Sequence, residues 1–542
     1  MLAIAVPAEA SDRSAAALNA LVKARIADEA GQPAEALAAL SSLASLAPQL
    51  PGLRGQILEQ AIEAGDLAAA RGAAAHLWAD GDRRFDAMLV LLVDAMRRSD
   101  WKAAHAYLDA RSSQPGGDSI VRLIQPGFQA WIDVGARVRE PESPLLAAAA
   151  RGRPEPAMLM EAALVRLVAG RKAEAIALAD GAAPTDRTSQ IIALRLAATL
   201  EGAGEREAAS ALRARTALAA GPREDPLLLL PDQPVTSARA GAAQWIGLLA
   251  DGLSRMPNRP PKIALLFARV AHWLNDRDWM AQGALVEILD RSGREQAALA
   301  LLDAPPVPLP PVLSMRRAEL MADAGDPLAG VQLAQKAIEP DPAPRSLLVR
   351  FADLTRRAGD PAASALAYAR LEASLSDDAA DEALRGTLLI ARAELLLDAD
   401  DWEGARPLLE KAVALRPDDP EILNFAGYSA LERRKDMTEA LARIETAWRR
   451  EPPSAAITDS LGWAYFLTGR IAEAVPLLEK AERGDPANAV IVEHLGDAYW
   501  QAGRRFEARH VWRAAAVLAE GAMMARLDAK LRDGLTPATT AP

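Results

Sequence analysis

At 542 residues the chain exceeds any ordinary single domain, and with 51% hydrophobic and 25% charged residues it has the balance of folded protein rather than of disorder. A net charge of -11 is the wrong sign for a surface held to nucleic acid by phosphate contacts, and the lack of cysteine excludes disulfides, thiolate metal sites and a thiol nucleophile. Aromatics make up 4%, and the abundance of Ala, Leu, Arg and Glu favours helices over a β-sandwich.

Residues 1–16 hold a short apolar stretch, Leu2 to Val6, then Pro7 and the small-x-small step Ala8-Glu9-Ala10. That step predicts the remnant of an export signal whose start lies upstream, with Ser11 as first mature residue. A periplasmic location follows from it. The plainer alternative is a frayed helical N-terminus on a cytoplasmic protein. No apolar run is long enough to cross a membrane.

From 17 to 223 the spacing turns periodic. Gly31 and Gly65 lie 34 residues apart, as do Gly170 and Gly204, and Ser99 stands where the next glycine would fall. Degenerate repeats are predicted at 17–50, 51–84, 85–118, 156–189 and 190–223, with Trp131 in a proline-interrupted stretch between them. Residues 224–310 read as an irregular helical connector. It has two helical stretches out of phase around Trp245 and Trp273, then a damaged unit from Trp279. It ends in Pro305-Pro306-Val307-Pro308-Leu309-Pro310-Pro311, a stiff extended segment taken as the main domain boundary.

A second array is predicted over 311–522, in units 311–344, 345–378, 386–419, 420–454, 455–488 and 489–522, with an acidic spacer at 379–385. Residues 523–535 suggest a capping helix with a charged outer face, and 536–542 a disordered tail. Leu461-Gly462-Trp463-Ala464-Tyr465 recurs as Leu495-Gly496-Asp497-Ala498-Tyr499, and Ala474 recurs as Ala508, each after 34 residues. Gly469 and Gly503 suit a helix C-terminus in the left-handed conformation. Gly462 and Ala474 let two helices approach, and Pro417, Pro452 and Pro486 stop the second helix of each unit. One such hairpin cannot bury its apolar face alone, so neighbours must stack.

This pattern resembles the tetratricopeptide repeat (TPR). The resemblance implies an all-α fold, an α-solenoid of helix–turn–helix hairpins. Over 386–522 the wording is similar to alphaproteobacterial TPR proteins with predicted export signals.

Chemistry is sparse. Phosphate loops, HExxH zinc sites, nucleophile elbows and EF-hands are absent, and the five histidines are scattered, with only His494 and His510 able to approach each other. Asp398, Asp400 and Asp401 read as solvated charge at a helix junction. No catalytic, cofactor or metal residue is assigned. The TPR resemblance instead implies partner-binding residues on the first helix of each hairpin: Asn424, Tyr428, Asp459, Trp463, Phe466, Glu493, Asp497 and Trp500. Trp463 and Phe466 have a second reading as packing between hairpins. Acids beside aromatics favour a basic or amphipathic segment over an acidic tail. The stripe Arg504, Arg505, Arg509 and Arg513 is either helix-end ion pairing or a second contact surface. The expected role is a non-enzymatic scaffold for a protein or peptide partner in envelope assembly. The alternatives are a cytoplasmic TPR regulator or an accessory of envelope polysaccharide synthesis or binding.

Overall fold

The computed structural model describes residues 8–112, 119–151, 155–220, 226–256, 260–303, 308–339, 342–376 and 378–541. Among these residues there is no strand, and no helix is long and apolar enough to cross a membrane. Ala8-Glu9-Ala10 opens the first helix, whereas Met1–Pro7 and Pro305–Val307 lie outside the described residues.

The helices come mostly as hairpins spaced close to the 34-residue frame, with a break at 238–274. They run α1 (Ala8–Glu29) and α2 (Pro33–Leu46), α3 (Leu53–Ala64) and α4 (Leu67–Ala79), α5 (Phe85–Arg97) and α6 (Trp101–Ser112). Next come α7 (Ser119–Gly135) and α8 (Ser143–Ala149), α9 (Pro156–Val168) and α10 (Lys172–Asp180), α11 (Arg187–Gly202) and α12 (Arg206–Ala220). The middle holds α13 (Ala238–Ser254), α14 (Lys262–Leu274), α15 (Trp279–Arg291) and α16 (Glu295–Asp303). Then follow α17 (Pro311–Asp323), α18 (Pro327–Ala337), α19 (Arg345–Arg357), α20 (Pro361–Ala373), α21 (Ala379–Asp398) and α22 (Trp402–Leu415). The C-terminal run is α23 (Pro420–Glu432), α24 (Met437–Arg450), α25 (Ala455–Leu467), α26 (Ile471–Gly484), α27 (Ala489–Gln501), α28 (Arg505–Leu518) and α29 (Gly521–Asp533).

Helix starts are set by side chains that accept orphan backbone N–H groups. Asp66, Asp186, Asp278, Asp326, Asp360, Asp401, Asp419, Ser454 and Asn488 all do so. The expected acidic spacer at 379–385 is instead the beginning of α21. Asp378 caps it by accepting from Asp381 N–H, and Asp381 in turn accepts from the Ser376 hydroxyl at 2.7 Å. With a cap and good helix formers in place, the chain has no reason to stay irregular.

The chain divides into two compact units, Met1–Gly359 and Asp360–Pro542. The boundary thus falls within the expected repeat 345–378 and not at the proline segment. Across that segment unit 1 is continuous, because Arg316 on α17 reaches back to Glu287 at 3.2 Å and to Asp290 on α15.

In unit 1 the out-of-phase stretch 238–274 is not a connector but a folded hairpin, α13–α14. It packs on first helices of the N-terminal array. Trp245 Nε1–H donates to Ile124 O at 3.0 Å, Gln244 to Glu161 at 2.8 Å, and Trp273 Nε1–H to Gly65 O at 3.2 Å. Arg269 donates to Glu63 O at 2.9 Å, and Arg187 pairs with Asp251. The α7–α13 contact is reciprocal. Trp245 lies on Gly127 and Trp131 on Gly241, so closely that a β-carbon on either glycine would stand 2.2 or 2.3 Å from the indole. Only glycine permits both approaches.

In unit 2, α21 to α28 form four stacked hairpins and α29 closes the stack. Its core holds Leu461, Trp463, Leu478, Leu495, Trp512 and Leu527. The tail expected to be disordered is packed: Ala541 is 2% exposed and its N–H donates to Asp497 Oδ2 at 3.0 Å. A buried carboxylate needs donors, and the tail supplies one.

Candidate functional site

The first helices of the last three hairpins stand side by side, so residues one repeat apart form rows. Asn424, Asp459 and Glu493 make one row, and Tyr428, Trp463 and Asp497 another. Helix α29 continues both rows with Arg526 and Lys530. Between α23, α25, α27 and α29 lies a cavity of about 620 Å³. Asn424, Tyr428, Asp459 and Glu493 line it, together with His494 and Arg526.

The other four predicted residues do not line it. Trp463 is fully buried and stacks on His494 at 4.0 Å and on Phe466 at 4.5 Å, a stack of three near-parallel rings inside the hairpin core. Asp497 is fully buried. It accepts from Lys530 Nζ at 2.7 Å and Trp512 Nε1 at 2.9 Å. Trp500 packs on Trp512 at 5.2 Å and is covered by the guanidiniums of Arg505 and Arg509 at 4.0 and 5.1 Å. Of the aromatics expected in the groove, Tyr428 lines the cavity, whereas Trp463, Phe466 and Trp500 pack within the hairpins. Two arginines of the basic stripe belong to that packing, and a third, Arg504, pairs with Glu479 at 3.0 Å.

The acids are also answered from within. Glu493, fully buried, accepts from Arg526 at 2.7 and 2.8 Å and from Lys530 at 2.6 Å. Burial works against its charge, but these two cations outweigh it and hold the carboxyl below its ordinary range. At Asp497 burial wins over Lys530 and raises the carboxyl. Burial and the neighbouring Glu432 and Asp459 carboxyls raise the Tyr428 phenol, and burial raises Glu432. The capping helix thus carries charge on its inner face as well as outside. Arg526 and Lys530 fall 33 residues after Glu493 and Asp497, and that spacing was the signal available in the sequence.

His494 is the site residue that sequence reasoning passed over. It is buried, and its Nδ1 lies 3.0 Å from Asp459 Oδ2 and 3.1 Å from Oδ1. A carboxylate only accepts, so Nδ1 carries the proton of that bond. Nε2 has no hydrogen-bond partner, and neither has Asn424 Oδ1. Buried polar atoms are rarely left this way, and here both belong to residues of the cavity wall. Among the described residues no group of three or more His, Asp or Glu could hold a metal ion.

The family model for the tetratricopeptide repeat matches residues 386–429, which span α21 to the middle of α23. None of the curated proteins matches the chain. Among solved structures, the chain is similar to yeast Tom70 at 13% identity and a TM-score of 0.37, over 96% of this chain and 98% of that one. It is similar to MamA of Desulfovibrio magneticus RS-1 at 20% identity and a TM-score of 0.27, over 32% of this chain and 94% of that one. A third is YrrB, described as a TPR protein with an unusual peptide-binding site, at 17% identity and a TM-score of 0.27 over 36% of this chain and 97% of that one.

Proposed function

We propose that this tetratricopeptide-repeat protein is a non-enzymatic scaffold that holds an extended segment of a partner protein in the cavity of its C-terminal unit. One observation carries the reading. The wall of that cavity includes His494 and Asn424, whose Nε2 and Oδ1 have no partner, whereas its buried carboxylates Asp459 and Glu493 are both paired. In the N-terminal array α13–α14 packs on the first helices, the face that the cavity occupies in the C-terminal unit. Action in the cell envelope belongs to the same proposal and rests on the Ala8-Glu9-Ala10 step.

Site-specific photo-crosslinking tests it. A benzoylphenylalanine at Glu421 or Val490, both exposed on the cavity wall, should crosslink in the native host to a single extended stretch of another protein. The same probe at Lys411, exposed on the second helix of its hairpin, should not. Equal capture from Lys411 would place the contact elsewhere.

A further inference from the structure

We infer that the cavity of the C-terminal unit is specific for a cationic side chain, a guanidinium or an ammonium, carried by the bound segment; this rests on the peptide-binding reading above and names what that site recognises. The unpartnered atoms decide the polarity. Asn424 Oδ1 is an acceptor by nature and has no partner in the protein, and His494 Nε2 beside it in the cavity wall has none either. Asn424 Oδ1 asks for an N–H or O–H donor, which a carboxylate or phosphate does not supply.

Charge points the same way. The wall carries five carboxyl side chains and a single guanidinium, Arg526, which is already committed to Glu493 through two hydrogen bonds. Glu421 and Glu451 are exposed at the mouth, where they favour a cation on approach. Deeper in, Phe425, Ile457 and Ile491 give apolar surface for the methylene stem of a lysine or arginine, with the charged head reaching the acceptors.

The test uses the full chain with imidazole nitrogens labelled and two capped probes, acetyl-arginine amide and its neutral isostere acetyl-citrulline amide. The arginine probe should move the His494 Nε2 resonance saturably and leave His76, His105, His272 and His510 in place. Citrulline should bind at least ten-fold more weakly, and a lysine probe should resemble arginine. Glu421→Lys with Glu451→Lys, both exposed and away from the folded core, should weaken the arginine probe several-fold. That double variant leaves the buried residues of the site untouched, so it reads binding and not folding. Equal binding of citrulline and arginine, an unmoved His494 resonance, or an unaffected double variant would each overturn the inference. Its failure is separable from failure of the scaffold reading. Crosslinks from Glu421 to a segment without basic residues would overturn the specificity alone, whereas arginine binding without a cavity crosslink would overturn only the scaffold.

Discussion

Ser99 sits at φ 57°, in the left-handed region that Gly65, Gly170 and Gly204 occupy at the same point of their hairpins. For a residue with a β-carbon that conformation costs about 1–2 kcal/mol. Ser99→Gly should therefore stabilise unit 1 by about 0.5–1 kcal/mol after the extra chain entropy of glycine, seen as a higher thermal midpoint. Glu161 carries the opposite kind of strain. It is fully buried, accepts from Trp131 Nε1 and Gln244 Nε2 at 2.8 Å each, and burial pushes its carboxyl up to about 7 despite those bonds. An acid raised in the folded state holds its proton longer than when unfolded. Stability is then full below the unfolded value near 4.5 and falls as pH rises towards the folded value of about 7. Denaturant titrations should show that loss, on the order of 2–3 kcal/mol between pH 4.5 and 8. Glu161→Gln should flatten the profile, because its amide can donate to the unpartnered Gln244 Oε1 without a titratable proton.

At the scale of helices, unit 2 repeats one fastening. Tyr465 donates to Glu445 at 3.1 Å under Arg470, and Tyr499 donates to Glu479 at 2.8 Å under Arg504. The two sets are 34 residues apart and tie each hairpin to the one before it. The capping helix has a different fastening. Lys530, fully buried, bridges Glu493 and Asp497. Lys530→Ala should destabilise unit 2 by roughly 3–5 kcal/mol, because it strands buried carboxylates. Lys530→Met with Asp497→Asn should recover part of that loss in chemical denaturation. In unit 1 the corresponding anchor is Trp245, whose removal to Ala should cost about 3–5 kcal/mol. Circular dichroism melts should show the loss in unit 1, with the unit 2 transition unmoved.

Over the whole molecule, the 34-residue period made the hairpins legible because each turn glycine, small helix-contact residue and terminating proline answers a local need. Longer-range features left no such mark. Trp245 meets Ile124 across 121 residues and Trp273 meets Gly65 across 208, so α13–α14 looked like a connector when it is a core element. The candidate site was half legible for the same reason. Its first-helix rows follow the repeat, so Asn424, Tyr428, Asp459 and Glu493 fell in the cavity wall. Trp463 and Phe466 did not, because they stack with each other and with His494, and Asp497 and Trp500 did not, because their partners Trp512 and Lys530 lie on α28 and α29. His494 carried no motif at all; only its register opposite Asp459 exposes it.

Hydrogen exchange on the full chain, with and without the segment mapped by crosslinking, tests the central claim most directly. Binding in the C-terminal cavity should slow exchange in α23, α25 and α27 while leaving α3, α5 and α7 unchanged. Protection confined to the N-terminal unit, or to α22, α24 and α26, would contradict it.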